Sequence, residues 1–352
     1  MSTLHMLRMY GRFMTGLPMF LRRRISVEEA RDTIRRGLAD RDDNFLRIAR
    51  RAIYDNPGSP YLKMLQMAGC EYGDLEGGVR TQGLEPALEK LRAEGVYVTF
   101  EEYKGRQPIV RNGRTIEADH TSFDNPLAVG AYEGQTGGST GKATRVSTDL
   151  DNLRSHTAHI MMNDHVHGMI GWPKAVWKGT LPDPVGTGIF LRSSLYDEIP
   201  DRWFTPVTRD HYTAPLRFRL ATGYILLITR LMGRPCPWPE PLPLDRAEVI
   251  ARWAADQVKA HGGAHVVVGV SLGVRICLAA AEAGIDMTGV RLLGAGEPFT
   301  AAKKAVFDRV GAHYIPIYIS EDTGPMGMPC ANPIEPNEQH QLADNLALEY
   351  RF

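Results

Sequence analysis

The sequence predicts an α/β protein in which a helical N-terminal region leads into layered β/α units. Residues 26–100 repeat apolar positions at helical spacing. The last third alternates short apolar runs with helix-period stretches, the pattern of parallel β/α units. At 352 residues, 43% hydrophobic and 23% charged, the chain can bury a substantial core.

The elements follow in order. The first 27 residues hold five arginines and no acid, but Arg22–Arg24 follow the apolar Leu17–Leu21 run, the reverse of a secretory signal, so a helix is expected. Ser26 and Glu29 form an S-x-x-E capping box ahead of Ala30, Ile34 and Leu38. Asn56-Pro57-Gly58-Ser59-Pro60 reads as a turn, and Leu84-Glu85-Pro86 opens a segment ending at Gly95. Val96, Val98 and Phe100 alternate with Tyr97, Thr99 and Glu101 as a strand would, and loops with short strands are expected from there to residue 135. This divides the chain into a helical region, 1–95, and an α/β core, 96–352, folded as one continuous domain.

After Gly141 a strand precedes a helix from Thr148, paired with Asp151, to about Asn163. Residues 164–244 carry every tryptophan except Trp253, and Pro235-Cys236-Pro237-Trp238-Pro239 excludes helix and central strand. Asp245 with Glu248 starts a helix whose Ile250, Trp253, Ala254 and Val258 share a face, and Gly262-Gly263 ends it. Then come a strand at 266–270, a helix at 274–283, a strand at 290–293, a helix between Thr300 and Gly311, and a strand at 313–319.

Lys+Arg and Asp+Glu both number 41, so the overall charge steers toward neither nucleic acid nor membrane, and a small-molecule ligand is expected. The four cysteines form no C-x-x-C pair, which fits a reducing, cytoplasmic compartment. Arg230 and Arg275 interrupt the two most apolar stretches, so no transmembrane helix is expected.

Three segments carry chemistry. Thr136-Gly137-Gly138-Ser139-Thr140-Gly141-Lys142 supplies backbone N–H groups, hydroxyls and an ammonium suited to a triphosphate. It is not a Walker A loop, because Thr136 and Ala143 stand where that pattern needs Gly and Ser/Thr. Gly294-Ala295-Gly296-Glu297-Pro298 ends a predicted strand, where ligands of parallel sheets sit. One unit later, Tyr318-Ile319-Ser320-Glu321-Asp322 places a ring ahead of carboxylates that can hold Mg²⁺. The bland alternative for each is a solvated turn.

In this order the three segments resemble the adenylate-forming (ANL) superfamily, and within it the phenylacetate-CoA ligase-like branch of acyl-CoA synthetases, from about Ser59 to the end. The resemblance implies the large N-terminal domain of such enzymes and ATP-dependent carboxylate activation: an acyl-adenylate forms, then a thiol of CoA or a carrier-protein phosphopantetheine displaces AMP. It implies that Thr136–Lys142 order the phosphates, with Lys142 and Thr140 catalytic, and that Gly296, Glu297 and Pro298 border the adenine. It further implies that Tyr318 stacks on that base beside Ser320, and that Asp322 or Glu321 holds Mg²⁺. The family's residue at the carboxylate pocket falls on His165, His167 or Trp172, with His167 assigned to catalysis and Trp172, Val270, Ser271 and Gly294 to the acid. Relatives continue into a mobile C-terminal subdomain absent here, so the sequence reads as an N-terminal part with weak or no turnover alone and retained nucleotide binding. A homodimer is common in this branch. In some relatives a Cys and a His matching Cys330 and His340 join further ligands around Zn²⁺; a buried thiol and a surface His are the alternative.

Two rival functions remain. Gly269-Val270-Ser271-Leu272-Gly273 matches the G-x-S-x-G nucleophile elbow of an α/β-hydrolase, with Asp286, Asp308, Asp322, His313 and His340 available as partners. An acyl-protein synthetase would instead carry its acyl group on Cys330. A nucleotide-binding remnant without catalysis is the bland reading.

Overall fold

The computed structural model describes residues 3–127, 132–135, 145–207, 214–320 and 323–347. The chain forms two compact units, one of residues 1–34 and 130–342, the other of 35–129 and 343–352. In the first, α1 (Thr3–Arg22) buries Phe13, Leu17 and Leu21. The Ser26 box then forms as expected, Ser26 N–H donating to Glu29 and Glu29 N–H to the Ser26 hydroxyl, and it opens α2 (Val27–Ala39).

The second unit is built from α3 (Arg41–Ile48), α4 (Pro60–Met67), α5 (Tyr72–Gln82), α6 (Leu84–Ala93), α7 (Phe100–Tyr103) and a hairpin of β1 (Ile109–Arg111) with β2 (Arg114–Ile116). The strand expected at 96–101 is absent. Thr99 instead caps α7, its hydroxyl accepting from Glu102 N–H while Glu102 accepts from Thr99 N–H. That local T-x-x-E box outweighs a short alternation with no partner strand. Glu102 is buried against Arg111, whose guanidinium holds its carboxyl down to about 2.

Back in the first unit, β3 (Tyr132–Gln135) pairs antiparallel with β4 (Arg145–Thr148). Asp149 caps α8 (Leu150–Val166), its carboxylate accepting from Asp151 N–H. There follow β5 (Lys174–Trp177), α9 (Pro184–Ser193), β6 (Arg202–Val207), α10 (Leu216–Leu231), β7 (Pro239–Pro243) and α11 (Glu248–His261). After them come β8 (Ala264–Val268), α12 (Val270–Glu282), β9 (Val290–Gly294), α13 (Ala301–Asp308) and β10 (His313–Pro316).

These six strands form one parallel sheet in the order β10-β9-β8-β5-β6-β7. The proline-rich β7 occupies its edge, where a missing N–H is tolerated. Helices cover both faces. Val266, Val268, Ala175 and Trp177 face a core shared with α11, α12 and α13, while Val176, Val267 and Leu293 face Phe190 of α9 and Leu226 of α10. The expected α/β layering is therefore present. The strand expected at 313–319 divides instead: β10 joins the parallel sheet, and β11 (Tyr318–Ser320) turns into a small antiparallel sheet with β12 (Gly324–Met328) and β13 (His340–Gln341).

Candidate active site

From β5 the chain winds to β6 and β7 on one side, and from β8 to β9 and β10 on the other. The reversal lies between the adjacent strands β5 and β8, and the crevice beyond their carboxyl ends is the place where an open parallel sheet can admit a ligand. A cavity of about 640 Å³ lies there. That size suits a small organic molecule.

Its rim is built from turns. Lys178 follows β5, and Gly294-Ala295-Gly296 follows β9. Only glycine fits at Gly294, because a Cβ would stand 1.8 Å from the Val268 carbonyl oxygen. Gly296 has φ +102°, which favours glycine. Ser320, ending β11, reaches the same rim, with Ile317 and Ile319 on the wall. Across the cavity stand Thr148, Asp149 and Pro184. A Cβ at Gly134 would lie 2.7 Å from Pro184, so β3 packs directly against that proline. Gly324, at φ +77°, would meet the His156 ring at 2.0 Å if it carried a Cβ, and this close approach brings β12 against α8.

The cavity runs along the sheet face, because Lys174 and Lys178 at the two ends of β5 both line it, a span of ~13 Å at ~3.3 Å per residue. Its lower end is ionic and buried. Lys174 Nζ donates to Asp164 Oδ2 at 3.0 Å, and the Tyr196 hydroxyl donates to the same oxygen at 3.0 Å. Burial disfavours both charges, yet each partner outweighs it: the lysine is held above and the carboxyl below its usual range. His265 beside them is pushed down to about 3 by burial and by the Lys174 ammonium, so it is neutral.

The expected site residues distribute as follows. Gly294, Gly296 and Ser320 line the cavity. Glu297 stands beside it, its carboxylate accepting from the Ser271 hydroxyl at 2.5 Å and from Lys303 Nζ at 3.0 Å, and those bonds hold its pKa below the usual value despite partial burial. The Pro298 carbonyl also accepts from Lys303. Tyr318 is exposed and alternates away from Ile317 and Ile319. Thr136, Gly137, Gly138, Ser139, Thr140, Gly141 and Lys142 lie outside the described residues, as do Glu321 and Asp322.

Val270 is fully buried in the core beneath α11, α12 and α13 and does not line the cavity. His167 and Trp172 lie at the other end of the sheet, because α8 ends at Val166 and β5 begins only at Lys174. There they line a separate cleft of about 480 Å³ with Arg291 and His313. His167 Nε2 sits 3.4 Å from the Pro329 carbonyl, and the Arg291 guanidinium lies 4.8 Å over the Trp172 ring.

Ser271 is the second residue of α12, and Asn112 and Asp197 are the non-glycine residues with positive φ among those described. It therefore lacks the strained backbone of a nucleophile elbow, and its hydroxyl is bound to a carboxylate instead of a histidine. Cys330 does not line the cavity either. One ligand atom each of Cys330, Glu338 and His340 lies within 4.8 Å of the others, a thiol–carboxylate–imidazole set that fits Zn²⁺.

Sequence reasoning missed Lys178, Asp164, Lys174, Tyr196, His265 and Glu338. The first lay one residue past a strand whose position was unread, and the buried group comes together only through strand register. Glu338 was legible as an acid two residues before His340.

No family model and no curated protein matches this chain. Among solved structures, an open conformation of 2-hydroxyisobutyryl-CoA ligase is similar at 12% identity and TM-score 0.49, over 86% of this chain and 59% of that one. The same enzyme in its thioesterification state gives 14% and 0.44, over 83% and 54%. A fatty acyl-adenylate ligase from L. pneumophila gives 12% and 0.33, over 56% and 30%. This chain thus spans less than two thirds of each neighbour's length, and no TM-score reaches one half.

Proposed function

We propose that this protein is an adenylate-forming enzyme that activates a small carboxylic acid with ATP. The observation that carries the reading is the convergence on one carboxyl-end cavity of the Gly294–Gly296 turn, Ser320 and the cation Lys178, with Thr148 at the end of β4 on the facing wall. Gly294, Gly296 and Ser320 belong to two of the three segments that suggested the chemistry.

In this reading Thr136–Lys142 hold the phosphates, Gly296–Pro298 and Tyr318 border the base, and Glu321 or Asp322 holds Mg²⁺, which neutralises phosphate charge. The acid occupies the apolar wall between Val267, Leu293 and Ile189. Lys178 and Lys142 offset the repulsion between the carboxylate and the α-phosphate as the carboxylate oxygen attacks and pyrophosphate leaves. A thiol such as that of CoA or a carrier phosphopantetheine accepts the acyl group, displacing AMP. Cys330, Glu338 and His340 would hold a structural Zn²⁺ and so tie down the segment between β12 and β13.

The test is calorimetric ATP binding with acid-dependent ATP–pyrophosphate exchange across aryl and medium-chain acids. The expected result is saturable ATP binding with at most weak exchange that depends on one class of acid, and Lys178→Ala is expected to lower that exchange further. Absence of nucleotide binding together with absence of exchange refutes the proposal.

A further inference from the structure

The α10 helix is apolar on the side away from the core. Leu216, Leu220, Leu227 and Leu231 are 67, 65, 55 and 71% exposed, and at 3.6 residues per turn they fall within a sector of about 60°. Phe218, Ala221, Ile225 and Thr229 on the opposite side are buried. Exposed Arg217 flanks the leucine row on one side and exposed Arg219 and Arg230 on the other.

Helix α1 lies alongside. Tyr224 of α10 donates its hydroxyl to the Met14 carbonyl at 2.6 Å and stacks edge-on against Phe13. Met14 and Met19 are exposed, as are Arg8, Arg12 and Arg22, and neither helix contains an aspartate or glutamate. In a chain with 41 basic and 41 acidic residues, this pair of helices is a local concentration of positive charge around exposed leucine and methionine.

A second copy is a poor cover for this face, since it would set arginines against arginines. A leucine row between arginines, without acids, is the composition of a helix that lies in a lipid interface. We infer that α10, with α1 beside it, is a docking face for an anionic lipid surface. The leucines enter the acyl boundary and the arginines meet lipid phosphates. This departs from the expectation of no membrane partner, which rested on whole-chain charge; no described helix is long and apolar enough to cross a membrane, and the contact inferred here is peripheral.

Cosedimentation of the full chain with vesicles of equimolar phosphatidylcholine and phosphatidylglycerol, against phosphatidylcholine alone, tests the inference. Binding is expected to the anionic vesicles and to fall as salt rises from ~0.05 to ~0.5 M. Leu220→Gln with Leu227→Gln should abolish it without changing the melting temperature, since both side chains are exposed. Arg217→Gln, Arg219→Gln and Arg230→Gln together should weaken it about 100-fold. The inference is overturned by absent binding, by equal binding to both vesicles, by self-association that the leucine variants abolish, or by binding to polyglutamate with none to vesicles.

Discussion

Lys174 illustrates how a single buried charge is tolerated. It begins β5 at 3% exposure, and Asp164 and Tyr196 give it a carboxylate partner and a ring 5.4 Å away. Removing one member of such a pair leaves the other charged in a low-dielectric interior, whereas replacing both restores an apolar contact. Lys174→Met is therefore expected to lower unfolding free energy by ~3–5 kcal/mol in urea titrations, and adding Asp164→Leu to recover most of the loss. A single variant as stable as the wild type would show that the carboxylate does not depend on the lysine. Neither partner could be paired from the sequence, because 10 residues and a helix-to-strand connection separate them.

At the scale of elements, the small sheet of β11, β12 and β13 is held by polar contacts and by close backbone approach. Ser320 and Thr323 share a hydroxyl contact at 2.9 Å, Gly324 abuts His156, and the Cys330–Glu338–His340 set joins β13 to the segment after β12. If that set holds zinc, purified protein should contain about one Zn²⁺ per chain by elemental analysis. Chelation should then lower stability by ~3 kcal/mol relative to free zinc at a hundredfold excess over its dissociation constant. Cys330→Ser and His340→Ala should each lose the metal; protein that purifies and melts identically with and without chelator is without this site. Cys330 and His340 stood out in the sequence as a soft thiol and an imidazole, but the donor set became three only when the turn folded Glu338 back, its carboxylate accepting from Ile334 N–H.

For the molecule as a whole, the two units carry acid-sensitive groups that act over different pH ranges. His265 has its folded pKa depressed to about 3 from 6.5, so the unfolded chain takes up its proton first; its contribution is complete above pH 6.5 and is lost as pH falls toward 3. Glu102, depressed to about 2 from 4.5, begins to lose its contribution only below 4.5. Denaturant titrations should therefore show unfolding free energy falling by about 2 kcal/mol between pH 6.5 and pH 5 from His265 alone. His265→Asn should flatten that slope; an unchanged slope would place the acid sensitivity elsewhere.

The elements legible beforehand were those set by local rules. The Ser26 box, the Gly262 stop of α11 at φ +81° and the β/α alternation after Asp245 all act within a few residues of the chain, and the structure has each of them. Two strand assignments missed for a complementary reason: at 96–101 no strand among the described residues pairs with the segment, and at 313–319 the chain changes sheets after Pro316. Local pattern sufficed for the α/β class, for the glycine-rich turn at 294–298 and for the acid-bearing segment at 318–322. Strand order came from long-range packing alone, and with it the reversal between β5 and β8 that brings Gly294, Gly296 and Ser320 to one cavity, places His167 and Trp172 at the opposite end, and buries Lys174 against Asp164. Strand order depends on which distant surfaces bury one another, and hydrophobic burial is non-directional; the residue pattern marks a face as apolar without naming the face that will cover it.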